Sequence, residues 1–172
     1  MVNSRYIDWQ PIVAQMEKSN ELTILELGCG AGTAFLIDNF KYVYSYETNT
    51  RDVTGRWFEL TKQQHQNKNW KGFFDTTLGP NHTVDISTLI HNIKNNINLD
   101  LIDVVFVDPG FRNRAECVLE FARMNKFQYI FTHDTSVDSN VYGWKLLEHM
   151  PTTYKICSRI TSGQGTTLWK KL

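Results

Sequence analysis

Glu26-Leu27-Gly28-Cys29-Gly30-Ala31-Gly32 follows directly on Thr23-Ile24-Leu25, and this junction decides how the chain is read. Thr23 to Leu27 is a short apolar run of the kind that forms a buried strand. The glycines then make a turn into a helix predicted to reach about Asp38. Such a turn lets backbone approach a ligand closely, while the next helix offers unpaired N–H groups and the positive end of its dipole. The glycines fall as G-x-G-x-G at Gly28, Gly30 and Gly32, where a dinucleotide fingerprint needs G-x-G-x-x-G and here meets Thr33. Glu26 would repel a pyrophosphate and suits a ligand that carries an ammonium group. No Gly-Lys-Ser/Thr follows, so the loop is not a P-loop.

Working outward, apolar runs alternate with longer helical patterns, the signature of βα units and a parallel sheet. Tyr42 to Tyr46 reads as a second strand ending at Glu47, and Thr50 to His65 as a helix. Gly72-Phe73-Phe74 reads as a third strand ending at Asp75, and Asp85 to Asn95 has helical spacing. Leu101 to Val107 is predicted to be a fully buried fourth strand, stopped by Asp108-Pro109-Gly110. A helix over Arg114 to Asn125, a fifth strand over Gln128 to Thr132 and a helix over Ser139 to Met150 follow, the last ended by Pro151. Tyr154 to Ile160 and Thr166 to Lys170 are joined by Thr161-Ser162-Gly163-Gln164-Gly165, which predicts a closing antiparallel hairpin.

The 172 residues fit one domain, with no repeat or linker dividing it. Basic and acidic residues balance at 18 each, so no chain-wide field for a polyanion exists, although a local basic patch would suffice for nucleic acid. Cys29, Cys117 and Cys157 are odd in number and lack zinc-site spacing, and they read as reduced thiols. Met1 to Gln10 has no basic segment followed by an apolar run, and no stretch is long and apolar enough to span a membrane. A soluble cytoplasmic protein is the expectation.

The glycine loop with Glu26, the strand-end acids and the order of elements together resemble the class I S-adenosylmethionine-dependent methyltransferase family over essentially the whole chain. The resemblance implies a three-layer αβα Rossmann-like fold, with a mostly parallel seven-stranded sheet in the order 3-2-1-4-5-7-6 and an antiparallel C-terminal hairpin. By the same resemblance Glu26, Gly28, Cys29, Gly30 and Gly32 would hold the methionine part of S-adenosylmethionine. Glu47 would accept both ribose hydroxyls, Thr48 would lie beside the adenine, and Asp75 would take the adenine amino group. Solvated strand-end acids are the plainer reading of Glu47 and Asp75.

Candidate catalytic groups follow strands four and five: Asp108 on one side, His133 and Asp134 on the other. This pairing, over Ile102 to Asp134, resembles O-methyltransferases that act on sugars and other small hydroxylated molecules, including the macrocin and glucuronoxylan types. His133 or Asp108 would be the general base, with imidazole favoured because its unperturbed pKa of ~6.5 lies close to working pH. Asp134 would orient or charge-stabilise it, unless His133 merely caps its strand. Some relatives place a divalent cation here, so Asp108 and Asp134 would be ligands for Mg2+, although Thr135 stands where catechol-type enzymes have asparagine. Arg112 and Arg114 would clamp an anionic group on the substrate, or else solvate a helix start. Phe111, Tyr6 and Trp9 would wall the acceptor pocket or plug the core, and the Ser162 to Gly165 tip would hang over it as a mobile edge.

Two rivals remain open. Asp108-Pro109-Gly110-Phe111 resembles the Asp-Pro-Pro-Tyr/Phe motif of nucleic-acid amino-methyltransferases, which stack a flipped base on the aromatic ring, but it has glycine in third place. A non-methylating protein on the same fold, an aminopropyl transferase or a cofactor-binding subunit, is the other.

Overall fold

The computed structural model describes residues 9–48, 52–65, 68–75 and 82–172. Seven strands, β1 (Thr23–Leu27), β2 (Tyr42–Thr48), β3 (Trp70–Asp75), β4 (Val104–Val107), β5 (Tyr129–His133), β6 (Tyr154–Ile160) and β7 (Thr166–Lys171), form one sheet in the order β3-β2-β1-β4-β5-β7-β6. Strands β1 to β5 are parallel, and β7 runs antiparallel to both β5 and β6. This is the Rossmann-like methyltransferase fold expected, with its closing hairpin.

Helices α1 (Gln10–Val13), α2 (Thr33–Asn39), α3 (Asp52–His65), α4 (Ile86–Asn96), α5 (Arg114–Arg123) and α6 (Ser139–Tyr142) accompany the sheet. Successive strand residues point to opposite faces, and β4 shows the result. Val105 and Val107 join Leu89 and Ile93 of α4 and Val118 and Phe121 of α5 in one core. Val104 and Phe106 join Trp9, Leu36 and Phe58 in the other. Both faces are thus dry, which is why these strands read as continuous apolar runs. Among the described residues no helix is long and apolar enough to cross a membrane.

Several element boundaries differ from the sequence expectation, and three of them have a clear local reason. The fourth strand begins at Val104, because Asn98 accepts a hydrogen bond from the Asp100 amide and winds Leu99–Leu101 into a 3-10 turn that leaves Leu101 exposed. The helix expected over Ser139 to Met150 is broken at Gly143, whose φ of 74° is left-handed, and it continues as a 3-10 segment, Trp144–His149. Helix α5 stops at Arg123, ahead of Asn125 with φ 51°. The third strand is longer than predicted, and Thr50 and Tyr6 lie outside the described residues.

Strands β1 to β5 run the same way, so Leu27, Thr48, Asp75, Val107 and His133 end on one edge of the sheet. In open α/β sheets that edge, where strand order reverses, is where ligands bind.

Candidate active site

The glycine loop is built in two layers. Gly28 has φ 94°, and a Cβ there would lie 2.9 Å from the Cα of Pro109, so the close approach of the β1 and β4 loops demands glycine. Gly32 abuts the ring of Trp9. Gly30 is different: a Cβ there would meet nothing within 4 Å, so the chain's own packing does not call for glycine at that point. The open space lies just ahead of α2, where a ligand can approach backbone.

Beneath the loop Glu26 is buried, its Oε2 accepting from Ser45 Oγ at 2.6 Å and both oxygens lying 3.0 Å from Thr33 Oγ1. Thr33 Oγ1 in turn accepts from the Gly30 amide at 3.0 Å, and Trp70 Nε1 donates to Ser45 Oγ at 2.8 Å. Burial pushes the Glu26 carboxyl up to about 8, offset in part by the Ser45 and Thr33 hydroxyls. Glu26 therefore braces Gly30 from below through Thr33, and does not present a free carboxylate to the loop's outer side.

Glu47, at the end of β2, is the acid that faces the loop. Its Oε2 accepts from the Cys29 amide at 2.6 Å, while its Oε1 is buried with no hydrogen-bond partner. The adjacent Thr48 Oγ1 is likewise buried and unpartnered. Burial raises the Glu47 carboxyl to about 7. Such an atom costs about 1–3 kcal/mol in desolvation, so Glu47 Oε1, held against the glycine loop by the Cys29 amide, marks a place that a ligand's hydroxyl would complete. Asp75, paired with Thr48 in register, accepts from Tyr46 Oη at 2.7 Å and Asn92 Nδ2 at 2.9 Å, both on Oδ2. Cys29 contributes its amide; its thiol is buried against Thr61 and pushed up to about 12, mainly by desolvation.

Across the sheet edge, Asp108, His133 and Asp134 come together, with one ligand atom from each lying within 4.8 Å of the others. His133 Nδ1 is 3.5 Å from both Asp108 Oδ2 and Asp134 Oδ1. Asp108 is the most open of the three, its side chain 29% exposed. Asp134 turns back in a left-handed conformation, φ 63°, which costs about 1 kcal/mol or more outside glycine. Its carbonyl is gripped by Trp144 Nε1 at 3.0 Å and by the Val137 amide at 3.1 Å.

Sequence reasoning missed what holds this cluster. Arg114 does not reach outward as a substrate clamp. It is buried, and its Nη1 donates to Asp108 Oδ1 at 2.8 Å and to Asp134 Oδ2 at 2.7 Å, with the ring of Tyr142 over the guanidinium at 4.1 Å. One signal was available: Arg114 opens α5, where the helix dipole disfavours a cation, so some other contact must hold it there. The oxygens that face His133 Nδ1, Asp108 Oδ2 and Asp134 Oδ1, are not the ones bonded to Arg114, so a divalent ion there would sit beside a fixed guanidinium charge that already neutralises part of the carboxylate pair.

Two further expectations are corrected. Phe111 is fully buried in the core under α4 and α5, and Trp9 is buried against Phe35, Phe106 and Phe131, so neither walls a pocket. The hairpin tip is tied down rather than loose: Thr135 and Ser136 amides donate to the carbonyls of Gly165 and Gln164, and Ser136 Oγ donates to that of Thr161. Arg112 remains exposed, its amide bonded to the His82 carbonyl. Between the hairpin and the 3-10 segment lies a cavity of about 430 Å³, lined by Thr135, Trp144, Ile156, Arg159 and Trp169 among others but not by Asp108, His133 or Asp134.

No family model matches the sequence, and no curated protein matches it. The structure, by contrast, is similar to solved methyltransferases. A protein assigned as a caffeoyl-CoA O-methyltransferase from Staphylococcus aureus is 13% identical, covers 94% of this chain and 81% of its own, and superposes with a TM-score of 0.64. An rRNA methylase from Streptococcus thermophilus is also 13% identical, over 94% of this chain and 93% of its own, with a TM-score of 0.58. A SAM-dependent methyltransferase from Aquifex aeolicus is 12% identical, over 95% and 88%, with a TM-score of 0.55. At these identities the likeness establishes the fold, and neighbours with such different acceptors leave the substrate to the site itself.

Proposed function

We propose that this chain is an S-adenosylmethionine-dependent methyltransferase that transfers a methyl group to a hydroxyl of a small molecule or sugar. The observation that carries the cofactor is the unpartnered buried oxygen Glu47 Oε1, on a carboxylate joined through the Cys29 amide to a loop whose Gly30 leaves open space. These groups suit a ligand with neighbouring hydroxyls and an adenine. The SAM-dependent neighbour with the same fold supports the choice. Glu47 would accept from the ribose hydroxyls, Thr48 and Asp75 would border the base, and the Gly28 to Gly32 backbone would hold the amino-acid end, stiffened by Glu26 and Thr33.

When bound, S-adenosylmethionine supplies an activated sulfonium methyl group, so the protein's task is to align an acceptor and manage one proton. Asp108, the most open member of its cluster, is the group an incoming hydroxyl meets first. Asp108 would accept the hydroxyl's hydrogen bond and hand the proton, as the methyl group is transferred, to His133 Nδ1, 3.5 Å from Asp108 Oδ2, imidazole being the side chain that ordinarily titrates nearest neutrality. Asp134, pinned by Arg114 and Trp144, sets the imidazole's position and balances its charge once protonated.

Phe111 is wholly buried and offers no face on which to stack a flipped base, which counts against the nucleic-acid reading. The test is label transfer from methyl-tritiated S-adenosylmethionine to a panel of sugars and catechols, with rRNA and DNA in parallel. Label in a small hydroxylated molecule, lost in His133→Ala, is the expected result. Label in nucleic acid alone would overturn the acceptor class.

A further inference from the structure

Two carboxylates that meet at the ends of neighbouring strands repel unless a cation lies between them, and here the chain supplies its own. A single nitrogen, Arg114 Nη1, donates to Asp108 Oδ1 at 2.8 Å and to Asp134 Oδ2 at 2.7 Å. The guanidinium side chain is only 6% exposed, and Tyr142 covers its face at 4.1 Å. Around it, Asp108, His133 and Asp134 keep the spacing of a three-ligand metal site.

We infer that Arg114 is the resident cation of this centre, a positioning residue that does the work a divalent metal would otherwise do, and that the cluster binds no divalent metal while Arg114 is in place. Guanidinium is a fixed positive charge, and here one of its nitrogens serves both carboxylates at once. Magnesium surrenders its water shell reluctantly, and at Asp108 Oδ2, Asp134 Oδ1 and His133 Nδ1 it would meet carboxylates already part-neutralised and the repulsion of a buried, ring-covered guanidinium on their other oxygens. The placement at the first turn of α5, against the helix dipole, points the same way: the ion pairs and the Tyr142 contact outweigh a local disadvantage. Removing the guanidinium would leave a buried carboxylate, a half-buried one and an imidazole without a counter-charge, an arrangement that a divalent ion can fill.

The inference rests on reading this cluster as the transfer centre, but its test needs no turnover. Mn2+ is the probe, followed by loss of the free-ion electron paramagnetic resonance signal, in wild type, Arg114→Ala, Arg114→Lys and the double variant Arg114→Ala/Asp134→Asn. S-Adenosylhomocysteine binding is measured on the same samples. Wild type and Arg114→Lys should leave Mn2+ free up to ~1 mM, whereas Arg114→Ala should bind it at least roughly 30-fold more tightly, with the gain lost in the double variant. Exogenous methylguanidinium should compete with Mn2+ for the Arg114→Ala site, a response that a merely structural arginine would not give.

Mn2+ binding by wild type that disappears in Asp134→Asn would overturn the inference, as would an Arg114→Ala protein that binds no better than wild type. If Arg114→Ala folds only when Mn2+ is present, the inference is supported; if it folds under neither condition, it is overturned. Failure of S-adenosylhomocysteine to bind, with the Mn2+ results as expected, would overturn the cofactor reading alone.

Discussion

Glu26→Gln isolates one buried titration. The Glu26 carboxyl titrates at about 8 in the folded chain against an ordinary 4.5, chiefly because burial penalises its charge. Between those values the native state keeps a proton that the unfolded chain has released, so raising the pH favours unfolding, by at most ~1.4 kcal/mol per pH unit. From pH 5 to pH 8 this group alone should cost wild type on the order of 4 kcal/mol of stability. Glutamine keeps the shape, its amide oxygen can still accept from Ser45 and Thr33, and it does not titrate. Urea unfolding of both proteins at pH 5, 6, 7 and 8, followed by far-UV circular dichroism, should show the variant gaining on wild type by about 4 kcal/mol across the series. Glu47, raised to about 7, slopes in the same direction in both proteins and largely cancels in the difference. A difference that stays flat within about 0.5 kcal/mol, or falls, would refute the claim that Glu26 is held neutral beneath the loop.

Other perturbations separate fold from function. Gly30→Ala should leave the melting temperature within about 2 °C of wild type, since its Cβ meets nothing, yet weaken S-adenosylhomocysteine binding at least roughly tenfold; unchanged calorimetric affinity would remove Gly30 from the site. His133→Ala and Asp108→Asn should each lower methyl transfer by roughly 10²-fold or more with cofactor affinity retained, and full activity in either would take it out of the chemistry. Phe111→Ala should cost about 3–5 kcal/mol in urea unfolding through the cavity it leaves. A negligible cost would contradict its place in the core.

Much of this was legible because adjacency in sequence survived as adjacency in space. A buried strand running into glycines, and acids or histidine placed where strands stop, depend only on the alternation of strand residues and on parallel pairing, so Glu47, Asp108 and His133 fell where the pattern put them. What was not legible depends on partners distant along the chain. Phe111 reads as a loop aromatic until α4 and α5 close over it. Arg114 reads as a surface cation until Asp134 swings into a left-handed turn and Tyr142 arrives from α6. Glu26 shows a third kind of limit: its hydrogen bonds to Ser45 and Thr33, with Trp70 on Ser45, depend on residues that only strand pairing and the turn into α2 bring around it. The break at Gly143 was written in the sequence as a glycine inside a helical run, where apolar spacing outweighed it in the reading.

The central claim is that the edge formed by the Gly28 to Gly32 loop and Glu47 binds S-adenosylmethionine. Titration calorimetry of the purified protein with S-adenosylhomocysteine tests it most directly, with Glu47→Ala alongside. A single site of roughly micromolar affinity is expected in wild type, weakened at least about tenfold by the substitution. Absence of binding in wild type, or equal affinity in the two proteins, would contradict it.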